Sequence, residues 1–298
     1  MFAEVLVPVF LLMGAGYAAG KLLRLDPAPF TKLAFWCLSP ALIFESLRTA
    51  TLSWKEIGVV AVFVCAHYVG MYLISLPFGR FLFREDRDAQ AAASLVLTFG
   101  NCANLGFPLL LFSLGEEGLQ VGAVFLAVNT VLLATLGVAI AAGELRPSRA
   151  VVAIFKVPWL YAVAAALVVR EVPELPLWLS RASTALKDGA LPYLLVLLGL
   201  QLARMDIRRI LGGAIGLGAG RLVFASLLAW GLTLLMGVQG TLRKALILEG
   251  SVPSAVNAFL LAAQFGRRPD LAAAALFLST ALSAGTLWLT LMGISAWA

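Results

Sequence analysis

Charge is scarce in this chain. Asp, Glu, Lys and Arg make up 13% of its 298 residues, where a soluble domain carries about 25%. There is one histidine, His67, so a Ser-His-Asp triad or a multi-histidine metal site lacks parts, and no H-E-x-x-H occurs. The six aspartates, at positions 26, 86, 88, 188, 206 and 270, fall in or beside the connections between apolar runs, which leaves an intramembrane aspartyl dyad without members. No G-x-x-x-x-G-K-[ST] loop is present, so the chain does not hydrolyse ATP, and work done across a membrane must draw on a gradient or the membrane potential. These absences argue against an enzyme. The three cysteines, Cys37, Cys65 and Cys102, each lie inside an apolar run and read as small packing residues rather than a disulfide.

Hydrophobicity is what the chain has in quantity, at 61% of residues. A bilayer-spanning helix needs roughly 20 mostly apolar residues, and windows of that length recur from one end to the other, leaving no room for a separate soluble domain. The net charge of +6 sits in short gaps between apolar runs, where membrane topology explains it better than nucleic-acid binding. The first run, Phe2 to Leu23, lacks a basic n-region and is long for a cleaved signal, so it reads as a transmembrane helix.

Ten spans are expected: Phe2 to Leu23, Phe30 to Leu47, Trp54 to Phe81, Ala89 to Leu114, Gly118 to Ala142, Ala150 to Val169, Leu177 to Leu202, Ile210 to Met236, Leu242 to Phe265 and Leu271 to Trp297. The odd-numbered connections hold fourteen Lys and Arg, among them Lys21, Lys32, Arg80, Arg146, Lys156, Arg204 and Arg267, and the even-numbered ones five, or seven with Arg181 and Lys187. Positive residues stay cytoplasmic, so both termini are expected outside a plasma (inner) membrane. Five spans per half make the second half enter from the opposite side, an inverted repeat divided into residues 1–146 and 147–298. Val7-Pro8 answers Val157-Pro158, Pro40 answers Pro192, and Pro108 answers Pro253.

Two stretches interrupt the apolar pattern at corresponding places. In FGNCANLGFPLLL, residues 99 to 111, Asn101, Asn104, Gly106 and Pro108 disfavour a continuous helix; in LEGSVPSAVN, residues 248 to 257, Glu249, Ser251, Pro253 and Asn257 do the same. Irregular backbone at membrane depth survives only against protein or a water-filled cavity. Paired interruptions in two halves are the best sequence-level pointer to a carrier's binding site. Where a helix breaks, its second half exposes N–H groups with roughly half a positive charge, which suits a carboxylate. Asn101 and Asn104, three apart, share a face and would bind the anion or cap the freed backbone. Glu249, Pro253 and Asn257 would line one face if the helix held, with Ser254 a further polar candidate.

Helical rise from Ala89 puts Pro108 nearer the outer face than the midplane, so strong tilt or a later entry must be assumed. Glu249 lies about 12 Å and Arg221 about 16 Å into their spans. Charges at such depth need partners. Glu249 reads as a coupling residue that takes up a proton or ligates sodium, or as a surface carboxylate. Arg221 would counter an anion, pair with Glu249, or hold helices together through backbone carbonyls. His67 is a proton carrier or, more often for a lone His, a satisfied core residue. Asn129 would bond a neighbouring helix or touch an ion.

The N-x-x-N-L-G-F-P-L-L segment, the E-G-S-V-P-S-A-V-N run with L-A-A-Q-F-G after it, and A-L-P-Y-L-L-V-L-L-G-L-Q-L in the seventh span together resemble the auxin efflux carrier family. L-S-P-A-L-I-F-E-S-L in the second span fits as well, so the resemblance covers essentially the whole chain. It implies an all-α membrane fold of two inverted five-helix repeats, with a scaffold of spans one, two, six and seven and a transport part of spans three to five and eight to ten. It also implies broken fourth and ninth helices crossing near the substrate, elevator-type alternating access, a homodimer through the scaffold, and small organic anions as substrates, with no cofactor. Only Gly143 to Arg149 separates the halves, where plant members often carry a long hydrophilic loop, so auxin itself is not implied. A passive anion channel or a non-transporting membrane receptor is the alternative; saturable uptake with counterflow distinguishes the carrier.

Overall fold

The computed structural model describes residues 2–144, 155, 157–170, 175–205 and 212–296. Its regular elements are helices: α1 (Phe2–Leu22), α2 (Pro27–Arg48), α3 (Trp54–Phe83), α4 (Arg87–Thr98), α5 (102–114), α6 (116–142), α7 (Pro158–Val169), α8 (Leu177–Ala203), α9 (Gly212–Leu235), α10 (Gly240–Gly250), α11 (Val256–Gln264) and α12 (Pro269–Ala296). Local chemistry sets several boundaries. Ser53 and Glu56 form a reciprocal capping box at the start of α3, and Asp86 accepts from the Ala89 amide to start α4. Gly115, at φ +68°, separates α5 from α6, where a side chain would be strained.

Seven helical runs among the described residues are long and apolar enough to cross a bilayer: α1, α2, α3, the Cys102–Ala142 run, α8, α9 and α12. The protein is a multi-pass, all-helical membrane protein. The expected fourth and ninth spans are each split, α7 has 12 described residues, and Gly115 divides the Cys102–Ala142 run between the expected fourth and fifth spans. The expected boundary at 146/147, the starts at Ala150 and Ile210, the end at Trp297, and Arg146, Arg149, Lys156, Arg208 and Arg209 lie outside the described residues.

Packing separates into two groups. In one, α1 lies along α8, and α2 packs on α7 and α8; in the other, α9 packs on α3, α4, α10 and α12, while α11 packs on α4 and α12. Glycine permits the α1–α8 approach: a Cβ on Gly16 would collide with the Val196 carbonyl, and one on Gly199 with the Met13 carbonyl. A buried cluster ties α2 to α8, where Glu45 accepts from Arg48 at 2.5 and 3.1 Å, from Ser183 at 2.9 Å and from Thr184 at 3.3 Å. Glu45 is thus enclosed, and its ion pair with Arg48 lies within the same helix.

Candidate functional site

The chain leaves helical geometry at Phe99–Asn101 after α4 and at Ser251–Ala255 after α10. Both interruptions are where the polar and glycine residues fall, but the first lies seven to nine residues before Pro108. Pro108 instead sits at the start of the continuing helix, and a wide turn over Cys102–Gly106, with the Phe107 amide donating to the Cys102 carbonyl, leads into it. This removes the depth difficulty: α4 has 12 residues and α10 has 11, so they are about 18 and 16 Å long, roughly half of a ~30 Å hydrocarbon core.

The two interruptions pair with one another. The Asn101 amide donates to the Pro253 carbonyl at 2.8 Å and the Ala255 amide to the Phe99 carbonyl at 2.9 Å, making one antiparallel bridge between Gly100 and Ser254. Ser254 Oγ donates to the Val96 carbonyl, the Ser254 amide to Ser279 Oγ, and Ser251 Oγ to the Ile247 carbonyl. Backbone freed by one break is thus satisfied by the other, as burial in an apolar medium requires.

Arg221 on α9 holds the carbonyl ends. Only 1% exposed, it donates to Leu97 at 2.8 Å, Thr98 at 3.1 Å, Val252 at 3.1 Å and Gly250 at 3.3 Å, all backbone oxygens. These come from the C-terminal ends of α4 and α10, so one guanidinium meets the negative ends of both half-helices. Gly100 is glycine because a Cβ there would strike the guanidinium. The expected ion pair with Glu249 is not formed: both Glu249 oxygens lack a hydrogen-bond partner.

With the carbonyl ends engaged, the amide ends are left to face a cavity. A space of about 60 Å³ is lined by Phe99 to Asn104 and by Ala255 to Asn257, the first turns of α5 and α11, and by Leu126, Asn129, Leu194, Leu197, Gln201 and Trp159 from other helices. That exceeds the ~10–15 Å³ one water needs. Asn101 Oδ1 accepts from the Asn104 amide, and Leu105 and Gly106 donate to the Asn101 carbonyl. The amides of Cys102 and Ala103, and of Val256 and Asn257, stand at helix starts where no acceptor exists within the helix. Asn101 Nδ2 and Asn129 Oδ1, both buried, have no partner. Asn104 Nδ2 donates to Gln201 Oε1 at 3.4 Å and Gln201 Nε2 to Thr31 Oγ1 at 3.1 Å. Thr31, Gln201 and Val256 also line an adjoining cavity of about 830 Å³ bounded by Lys32, Arg204, Met205, Phe259 and Leu260.

Of the residues singled out in the sequence, Asn101, Asn104, Asn129 and Asn257 meet at the central cavity. Ser251, Pro253 and Ser254 lie in the second break without lining it, and Gly106 and Pro108 stand in the turn and helix start that follow the first. The expected stripe of Glu249, Pro253 and Asn257 does not form, because α10 ends at Gly250. His67 stacks on Phe63 at 5.7 Å and its Nε2 lies 3.1 Å from the Ala225 carbonyl, the arrangement of a core histidine. Gln201, Thr31 and Trp159 were missed; Gln201, a lone amide in the apolar run of α8, was the signal available.

Comparison with known proteins bears on the whole chain. The family described as "Membrane transport protein" matches residues 1–153 and 147–291. A protein named an uncharacterized transporter from Methanocaldococcus jannaschii is 24% identical over 298 residues, covering 94% of each chain. One of the same description from Methanothermobacter thermautotrophicus is 27% identical over 292 residues, again covering 94% of each.

Proposed function

Since the chain belongs to the membrane transport protein family, that of the auxin efflux carriers, we propose that it is a secondary carrier of small organic anions, carboxylates or dicarboxylates, working by elevator-type alternating access. The observation that carries this reading is the division of labour at the paired breaks. Arg221 occupies both carbonyl ends, so the field left at the cavity is that of two amide ends. Asn101, with its unpartnered Nδ2, and Asn257 are the proposed first contacts of the anion, with Asn104 and Asn129 beside them; Gly106, Pro108, Ser251, Pro253 and Ser254 hold the breaks in shape.

In this reading the chain has ten spans, α4 with α5 and α10 with α11 each counting as one, in two inverted repeats of residues 1–146 and 147–298. The reciprocal packing of α1 on α8, α2 on α7 and α3 on α9 supports this. The α1, α2, α7 and α8 group is the scaffold, and the natural face for a homodimer; the other helices move. Both termini lie outside the inner membrane. Lys32 and Arg204, in odd-numbered connections, border the larger cavity, which supports a cytoplasm-facing state. The link from Asn104 through Gln201 to Thr31 then joins moving and fixed parts where the two cavities meet.

The test is uptake of radiolabelled malonate, malate and indole-3-acetate into proteoliposomes. A carrier gives saturable uptake accelerated by the same anion on the far side. Currents that neither saturate nor show counterflow would point to the anion channel, and ligand-raised thermal stability without flux to a receptor.

A further inference from the structure

Two carboxylates are buried among the described residues. Glu45 is satisfied by a cation and two hydroxyls. Glu249, 1% exposed, has no hydrogen-bond partner at either oxygen. It is the penultimate residue of α10, and its carboxyl lies against Gly106 of the other broken helix, where an added Cβ would come within 2.7 Å of its Cδ and 2.6 Å of Oε1. The glycine of one break therefore makes the space that the acid of the other fills. An ionised carboxylate so placed has neither water nor a donor to replace it, and the state compatible with burial is the neutral acid.

We propose that Glu249 is the proton-binding site of this carrier, loaded in the state seen here and discharged when the breaks are exposed to water without an anion. The proposal rests on the reading of the paired breaks as the anion site. In loading, a hydronium ion gives its proton to a carboxylate oxygen, leaving water and a neutral carboxyl; in discharge, a water takes the proton away as hydronium and the carboxylate returns. No covalent bond to substrate and no electron transfer is involved. Cys102 to Asn104 line the cavity and Gly106 follows in the same turn, so a bound anion and an ionised Glu249 would be two like charges about one helical turn apart. At an effective dielectric near 20 that separation disfavours double occupancy by roughly a hundredfold, so anion and proton move together.

The groups around Glu249 make a proton the better fit than sodium. Tyr68 of α3 and Cys102 of α5 are within electrostatic reach. Arg221 of α9 is spent on carbonyls, and His67 of α3 lies beside Gly250. The buried polar groups of α12, Ser279, Thr280 and Ser283, do not titrate in this range, and Glu116 and Glu117 of α6 are not buried. A sodium ion would need freed carbonyls, yet those of Leu97, Thr98, Phe99, Gly250, Val252 and Pro253 all have donors.

Infrared spectroscopy of the purified protein reads the protonation directly. At neutral pH the wild type should show the C=O stretch of a neutral carboxylic acid, shifted on exchange into D2O, and Glu249→Gln should lose it. Glu249→Asp, which withdraws the carboxyl from Gly106 by one methylene, should keep a band at altered frequency and guards against misfolding of the amide variant. Absence of the band in wild type, its survival in Glu249→Gln, or its loss when sodium chloride replaces choline chloride would overturn the proposal. In pyranine-loaded liposomes, malonate uptake by wild type should move protons with the anion, and Glu249→Gln should uncouple the two. Malonate uptake by wild type with no proton movement would overturn the coupling. Failure of wild type to take up malonate would count against the anion reading, with the infrared result still deciding the proton site.

Discussion

Replacing Arg221 with methionine should dismantle the paired breaks. The guanidinium serves four buried carbonyls, two from the end of α4 and two from around the end of α10. Each buried hydrogen bond involving a charged group is worth about 1.5–3 kcal/mol, and an orphaned buried carbonyl costs about 1–3. Allowing for relaxation and non-additivity, the loss is on the order of 5 kcal/mol, comparable to the whole stability of many domains at about 5–15. At ~2 °C per kcal/mol for a chain of this size, melting followed by tryptophan fluorescence in detergent should fall by roughly 10 °C. Amide exchange at Asn101 and Ala255, which bridge the breaks, should accelerate. Arg221→Lys keeps the charge but has a single nitrogen and cannot reach both ends, so it should recover about half of the loss. A methionine variant melting within ~2 °C of wild type, with unchanged exchange at Asn101, would refute the clamp.

Other outcomes follow from the same contacts. Gly199→Ala drives a methyl into the Met13 carbonyl and should cost about 1–3 kcal/mol, whereas Gly14→Ala, where a Cβ meets nothing within 4 Å, should be neutral; equal melting temperatures for the two would contradict the α1–α8 packing. Glu45→Gln should lower stability by about 1–3 kcal/mol in thermal melts by removing the ionised acceptor from Arg48, Ser183 and Thr184. Gln201→Leu severs both links of the Asn104–Gln201–Thr31 chain, so it should change the KM for anion uptake severalfold while lowering stability by no more than about 2 kcal/mol; an unaltered KM would remove Gln201 from the site.

The two interruptions were legible because Asn, Gly and Pro are conspicuous in runs otherwise fit to be helix. Their position was less so. Pro108 was the obvious breaker, yet proline is tolerated near a helix start, and the chain had already left helical geometry at Phe99, where no proline marks it. The cost of burying Arg221 could be read from its depth, but sequence alone does not tell whether a guanidinium will meet a carboxylate or four carbonyls, since backbone oxygens are the same everywhere. Glu249 was likewise visible as an expensive residue; that Gly106 makes room for it depends on two segments more than 140 positions apart meeting. Thr31 and Trp159 carried no signal of their own, being ordinary at the ends of apolar runs.

The measurement that bears most directly on the paired amide ends as an anion site is equilibrium binding of the best-bound carboxylate to Asn101→Asp. Aspartate is as good a helix cap as asparagine, so the turn into α5 should be preserved. It puts a negative charge where the anion is to sit, and two charges ~4 Å apart at an effective dielectric near 20 repel by about 4 kcal/mol. The account predicts a folded protein, melting near wild type, with affinity reduced at least a hundredfold. Wild-type affinity in that variant would contradict it.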